Sequence, residues 1–272
     1  MDSFTDRSIA GGRDEIPLGR RILPDILAFS IGLALAYFLN WETTDLVWSL
    51  WLCSLVLGYT TLLATIAGGG YILANAVNYL DSVRKYRRPV FIAGFCGGLF
   101  FLGFFSLHFC GFHAGHSVFL NQFFPLEDMP KDGFGAAFMN PPLLWLLVFT
   151  HLVKPYGIFI IPALIAERKH VLKPLFKAIE LARLMRNGTP ASSQINFAAV
   201  ASNIKQQKFV HSMMGRPYIN VVRMHLLIFF FAFSHFLKID SFIIYTVVYS
   251  VYFFPWLEIA SLRKQGLARN YG

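Results

Sequence analysis

The stretch that decides the fold class lies at residues 90–122 and reads VFIAGFCGGLFFLGFFSLHFCGFHAGHSVFLNQ. It contains no Asp, Glu, Lys or Arg, and it is longer than the roughly 20 apolar residues that a helix needs to cross a bilayer. The rest of the chain agrees with it, because 56% of the 272 residues are hydrophobic and only 14% are charged. A water-soluble globule of this composition would lack polar surface. The sequence therefore predicts an all-α integral membrane protein.

Further apolar runs accompany this stretch, so the predicted fold is a helical bundle of about six transmembrane helices. The other runs lie at residues 22–41, 46–67, 142–165, 219–238 and 241–261. The run at 90–122 is too long for one upright helix, and we expect it to tilt, to break at its glycines or to extend past the membrane surface. Gly68-Gly69-Gly70 are expected to interrupt the helix that begins near residue 46.

The distribution of charge favours six helices with the N- and C-termini on the cytoplasmic side. In that topology all but three of the 24 Lys and Arg residues lie in cytoplasmic segments, as the positive-inside rule requires, and the longer outer loops are acidic. The net charge of +9 is therefore spread between spans, and it does not form the basic face of a nucleic-acid-binding domain. We expect a cytoplasmic N-terminal segment at residues 1–21 and a membrane domain at residues 22–261. Within that domain we expect a basic cytoplasmic insertion at about residues 167–217, and after it a basic tail at residues 262–272.

Part of the basic insertion, residues 171–186, alternates apolar and basic side chains at helical spacing. Its apolar members are Leu172, Leu175, Phe176 and Ile179, and its basic members are Lys173, Lys177, Arg183 and Arg186. Such a helix either lies on the anionic lipid of the cytoplasmic leaflet or packs on the membrane domain with an ordinary solvated face. The expected partners are the lipid bilayer, anionic lipid at the cytoplasmic face, and other membrane subunits or a second copy of the chain.

Histidines are concentrated in the apolar runs, where ionisable side chains are costly and usually functional. On a helix, His113 and His116 share a face and can hold one metal ion, whereas His108 and His116 are separated by a rise of about 12 Å. Neutral imidazole binds haem iron, copper and zinc. The candidate metal ligands are His108, His113, His116, His151 and His235. The alternative is that each histidine forms a hydrogen bond across helices.

Other charged residues near the runs are further candidates. Lys154 lies three residues after His151, where a lysine must pair, line water or extend to the surface. It is a candidate for a polar path, although Pro155 offers the alternative of a kink that frees a carbonyl for the lysine. Glu167, Arg223 and His225 are predicted to form a polar network on the cytoplasmic side.

Three hypotheses of function follow, and the sequence leaves open whether the protein is an enzyme. The leading hypothesis is a membrane protein whose histidines bind a metal or haem, for a redox or accessory role in a membrane complex. The second is a transporter or channel whose histidines and Lys154 line a polar path. The third is a structural subunit without chemistry of its own. The chain contains no phosphate loop, no nucleophile elbow and no H-E-x-x-H motif.

Four motifs, taken in their order along the chain, carry a family resemblance. They are Leu50-Trp51 with Leu57-Gly58, His108-Phe109-x-x-Phe112-x-x-x-His116-x-x-Phe119, His151 followed by Glu167, and Arg216-Pro217-Tyr218-x-x-x-x-Arg223-Met224-His225-Leu226. This order resembles the prokaryotic membrane family called domain of unknown function 6498, over about residues 46–260. The chain departs from the family pattern at Cys53 and Cys110, where an acidic residue and a glycine are expected.

The resemblance implies a shared fold, and it implies that some of the candidate residues are family positions. These are His108, His116, His151, Glu167, Arg223 and His225. Together with the charge asymmetry, it also implies a location in a bacterial or archaeal cytoplasmic membrane, that is, a cell inner membrane. It implies no activity, so the three hypotheses stay open.

Overall fold

The computed structural model describes residues 18–79, 81–130 and 132–187, and beyond them only scattered residues between 226 and 259. Within these residues every regular element is a helix and no strand occurs, which confirms the predicted all-α class. The predicted runs at 219–238 and 241–261, and the C-terminal tail, lie largely or wholly outside the described residues. The number of spans beyond residue 187 therefore stays a prediction.

The described helices follow one another with short connections. They are α1 Leu18–Phe38, α2 Thr43–Tyr79, α3 Asp81–Arg84, α4 Arg87–Phe123, α5 Gly133–Ala136, α6 Pro141–Leu147, α7 Val153–Tyr156, α8 Ile160–Val171 and α9 Lys173–Asn187. A π-helical turn at Val148–Leu152 joins α6 to α7, and a 3₁₀ turn at Gly157–Phe159 joins α7 to α8.

Three helical stretches among the described residues are long and apolar enough to cross a membrane. They are Thr43–Tyr79, Arg87–Phe123 and the continuous stretch Pro141–Arg186, while Ile22–Phe38 is a shorter apolar helix. These four stretches coincide with the first four predicted runs. The described part of the protein is therefore all-helical, with helices long and apolar enough for a bilayer.

The expected interruption of the second helix at Gly68-Gly69-Gly70 is wrong, because α2 continues through all three glycines to Tyr79. The reason is tertiary packing. A Cβ atom at position 68 would lie 3.2 Å from the Pro174 carbonyl oxygen and 3.2 Å from the Ala178 Cβ. The absence of a side chain at Gly68 thus allows the close approach of α9, and the contact with α9 supports the helical backbone at that point.

The long third run forms one helix without a break at its glycines. Helix α4 has 37 residues, which corresponds to a length of about 55 Å at the α-helical rise. This excludes a break among the three expected outcomes, and tilting or extension past the membrane surface remain. The first turns of α4 are exposed, and buried residues begin at Phe105.

Helix α2 forms the centre of the described bundle, and an aromatic core joins it to α4. The indole nitrogen of Trp48 donates to the Phe124 carbonyl oxygen (2.8 Å), and that of Trp51 donates to the His113 carbonyl oxygen (3.2 Å). Phe134 packs against both indoles, with ring centroids 5.4 and 5.9 Å away. These contacts satisfy the polar atoms of two large buried side chains and fix the register of the two helices.

The fourth apolar run is helical as predicted, but it is not straight. Trp145 packs on Tyr59, in the middle of α2, whereas the hydroxyl of Tyr156 donates to Asp45, in the first turn of α2. After the turn at Gly157–Phe159, α8 and α9 follow α2 in its own direction as far as Gly68. The chain therefore bends between α7 and α8.

Pro155 accounts for the irregular turn that precedes this bend. A proline inside a helix removes one N–H donor and clashes with the carbonyl four residues earlier, here that of His151. The π-helical turn lies just before Pro155, and in it the Val153 N–H bonds to the Val148 carbonyl, five residues back.

Candidate functional site

His113 is a buried structural residue at the contact between α2 and α4. Its Nδ1 lies 3.0 Å from the carbonyl oxygen of Phe109, and since a carbonyl only accepts, Nδ1 carries the hydrogen. In the neutral imidazole, Nε2 then accepts from the hydroxyl of Ser54 at 3.3 Å. The ring also packs on Trp51 and Phe109, with centroids 5.6 and 4.2 Å away. A metal at His113 would have to displace Ser54.

A groove lies on the other side of α4, and it is the candidate site. Its volume is about 490 Å³, and its lining residues are Phe104, Leu107, His108, Gly111, Phe112, Gly115, His116, Phe138 and Met139. The lining residues of α4 recur at intervals of three or four, so they share one face of the helix. Phe138 and Met139 come from the loop before α6 and close one wall.

Two glycines form the floor of this groove. A Cβ atom at position 111 would lie 3.2 Å from the Phe138 carbonyl oxygen, and one at position 115 would lie 3.5 Å from the Phe138 ring. The glycines therefore allow the loop to approach α4 closely, and they leave the remaining space open between the rings. A larger side chain at position 115 would grow into that space.

His108 and His116 are the polar groups of the groove. His108 is exposed and lies flat against Phe104, with ring centroids 5.7 Å apart. His116 is 9% exposed, and its ring centroid lies 6.4 Å from that of Phe112. Because the two histidines are separated by about 12 Å of helical rise, they cannot bind the same ion at coordination distances near 2 Å. They can both contact one organic molecule that extends along the groove.

The remaining candidates are not brought to this groove. His151 is half-buried within the π-helical turn, Lys154 is exposed, and neither lines the groove. Glu167 is half-buried on α8. Its predicted network partners Arg223 and His225, and the candidate ligand His235, lie outside the described residues. Within the part of the chain that the structure describes, no three His, Cys, Asp or Glu side chains are grouped as a metal site requires.

Sequence reasoning missed a buried carboxylate that joins α1 to α8. Asp25 is 5% exposed and forms ion pairs with Arg168 and with the Lys169 Nζ, the latter at 2.6 Å. The sequence contained a signal for this pairing, because buried charges are usually paired. Asp25 lies inside one apolar run, and the two cations follow the end of another. The Tyr59 hydroxyl, 3.1 Å from the Cys110 sulfur, had no comparable signal.

The comparison with known families covers the groove and the helices that form it. The profile of a family of unknown function, DUF6498, matches residues 26–179, which is more than half of the chain. The chain belongs to the DUF6498 family. The match includes α2, α4, the groove and the bend of the fourth run, and it confirms the resemblance seen in the motifs. The motif at residues 216–226 lies beyond the DUF6498 match. No curated protein and no solved structure matches the chain.

Proposed function

We propose that this DUF6498 protein is a polytopic membrane protein of about six spans whose α4 groove binds a lipid-soluble molecule. The ligand has a flat apolar ring and at least one polar group. The observation that carries the proposal is the groove itself, with aromatic walls, two glycines as its floor and two imidazoles. Small-molecule sites have this character: they are mostly apolar, and a few polar groups fix the orientation of the ligand.

The position of the groove supports a ligand that arrives through the lipid. Residues 91–104 of α4, which lead to the groove, expose large apolar side chains, among them Phe95, Leu99 and Phe100. In a bilayer such side chains face hydrocarbon. A hydrophobic molecule can therefore reach the groove by lateral diffusion, without crossing the protein.

The interior of the described bundle favours binding over transport. Trp48, Trp51 and Phe109 are fully buried and fill the space between α2 and α4. A transporter or channel needs a polar path between the two faces of the membrane, and His151 and Lys154 are separate from the groove. A structural subunit without chemistry remains the outcome if the groove retains no ligand.

A haem held in the same groove is the second candidate, and an imidazole on the groove wall favours it, since the iron can take either His108 or His116 as its axial ligand. Haem needs only one or two imidazole ligands, whereas a zinc site needs three or four protein ligands. The groove therefore suits haem better than a single copper or zinc ion. In either candidate the aromatic side chains provide the binding surface for a flat ring.

The test is the small-molecule content of the protein after mild detergent purification. Gly115→Leu fills the groove, and Gly97→Leu is the matched control. Position 97 lies on the same helix, and a Cβ atom there would have no neighbouring group within 4 Å. We expect a molecule that extracts from the parent and from Gly97→Leu, and that is reduced about tenfold or more in Gly115→Leu, as the loss of a well-packed ring implies. An optical spectrum of the same samples identifies haem by its Soret band.

Equal content in both variants would contradict the proposal, as would an extract that matches the detergent blank. His116→Ala provides a second measurement. If His116 orients the ligand, retention falls while the unfolding temperature stays within a few degrees of that of the parent. A change in stability alone would assign His116 a structural role.

A further inference from the structure

Helix α9 packs on α2 through a face that includes two alanines and a methionine. Ala178 and Ala182 are fully buried, Met185 is buried, and Ala178 faces Gly68. This close contact holds α9 along the second half of α2. It therefore favours a helix that packs on the membrane domain, and it leaves the opposite face of α9 outward.

The outward face combines large apolar and basic side chains. Phe176 and Leu184 are 58% and 63% exposed, and Lys173, Glu180 and Arg183 are exposed beside them. At 100° per residue these five positions fall within an arc of about 100°. Exposed Phe and Leu side chains among cations suit a helix at a lipid surface, where apolar anchors and basic side chains act together.

Additional positive charge lies next to the start of α9. Asp25 offsets only one of the two cations that it contacts, Arg168 and Lys169. Their side chains remain 30% and 41% exposed. With the acids Asp25 and Glu167 counted against the cations Arg168, Lys169 and Lys173, the junction of α8 and α9 carries a formal charge of +1.

We propose that the outward face of α9 binds the headgroups of anionic phospholipids at the surface of the membrane. Lys173 and Arg183 contact the phosphates, and Phe176 and Leu184 enter the boundary between headgroups and acyl chains. Charge complementarity with an anionic leaflet and the two apolar anchors support this occupant. The contact anchors the basic insertion to the membrane, and it is independent of the groove on α4.

The experiment follows hydrogen exchange of residues 173–187 in the full-length protein. The protein is placed in phosphatidylcholine nanodiscs that contain increasing fractions of phosphatidylglycerol. We expect exchange to slow as the anionic fraction rises. At a given anionic fraction, Arg183→Gln should reduce the gain in protection about fivefold, the effect of one cation near a charged surface.

Three variants make the assignment specific. Glu180→Gln should lower the required anionic fraction, because it removes the one acid from the same face, and Leu184→Ser should weaken protection at every lipid composition. Lys85→Gln removes a cation from the turn before α4 and should leave residues 173–187 unchanged. Unchanged exchange of α2 and α4 verifies the fold of each variant.

Protection that is equal in pure phosphatidylcholine and in phosphatidylglycerol would overturn the proposal. An equal effect of Arg183→Gln and Lys85→Gln would also overturn it, because the response would then report total charge and not the face of α9.

Discussion

His113 and His116 lie three residues apart on α4, yet their surroundings give them different roles. His113 faces α2, where a carbonyl and a hydroxyl use both of its ring nitrogens. His116 faces the loop at Phe138 and lines the groove. A buried imidazole that is fully hydrogen-bonded stabilises one arrangement of its neighbours. His113 is therefore expected to contribute stability, whereas the proposed function gives ligand contact to His116 and His108.

The hydrogen bond between Ser54 and His113 provides the first test at the level of single residues. Ser54→Ala leaves a buried imidazole nitrogen without its donor, and we expect it to lower the free energy of unfolding by about 1–3 kcal/mol. Ser49→Ala is the matched control, since the Ser49 hydroxyl is buried in the same helix and bonds only the Leu46 carbonyl of its own turn. Thermal unfolding in detergent measures both variants, and equal losses would remove the special role of Ser54.

Gly58 tests the packing of α2 against α4. A Cβ atom at this position would overlap the ring of Phe109, so Gly58→Ala should destabilise the protein by about 1–3 kcal/mol through overpacking. Gly69→Ala makes the same change on the same helix, where no heavy atom lies within 4 Å. It should be neutral or stabilising by up to about 1 kcal/mol, because alanine favours a helix. If Gly58→Ala changes the free energy of unfolding no more than Gly69→Ala does, the ring of Phe109 moves aside.

At the scale of helices, the sequence predicted what depends on local composition. The apolar runs located α2 and α4, because the length and hydrophobicity of a span are properties of contiguous residues. The continuity of α2 through Gly68 could not be predicted, since it depends on α9, more than 100 residues later in the chain. The bend after Pro155 was foreseen only as a kink, because its direction depends on contacts with Tyr59 and Asp45.

The candidate site was predictable to a similar degree. Helical spacing singled out the histidines of α4, but it paired His113 with His116, which face different neighbours. Only the position of α4 between α2 and the loop at Phe138 separates the two roles. The glycines of the groove floor were indistinguishable from those that face open space, such as Gly97.

The ion pairs of Asp25 determine how α1 joins α8. Asp25→Asn leaves two cations beside each other without their carboxylate, and we expect it to lower the free energy of unfolding by about 3 kcal/mol, as for other broken buried pairs. In that background, Arg168→Gln should recover part of the loss, because it removes the repulsion between the cations. Arg168→Gln alone should destabilise the protein. Strictly additive losses in this double-mutant cycle would contradict the coupling.

At the scale of the whole molecule, the two halves of α4 differ in what surrounds them. The first half exposes aromatic residues that suit lipid, while the second half is buried against α2 and supports the groove on its other face. In the proposed function, a single helix therefore connects the lipid phase with the groove. This arrangement requires that α4 crosses the bilayer, and the membrane topology is open to test.

The topology is decided by the side on which a few positions lie. Helix α9 packs on the second half of α2, so Asn187 and Arg84 are expected on the same side as the end of α2, the cytoplasm by the positive-inside rule. We expect fusions of green fluorescent protein after Arg84, Asn187 and Gly272 to fluoresce, and fusions of alkaline phosphatase after Asp128 and Ile239 to be active. Ile239 is decisive, because an inactive fusion there would reduce the number of spans to four. Such a result would leave the basic insertion and everything after it on one side of the membrane.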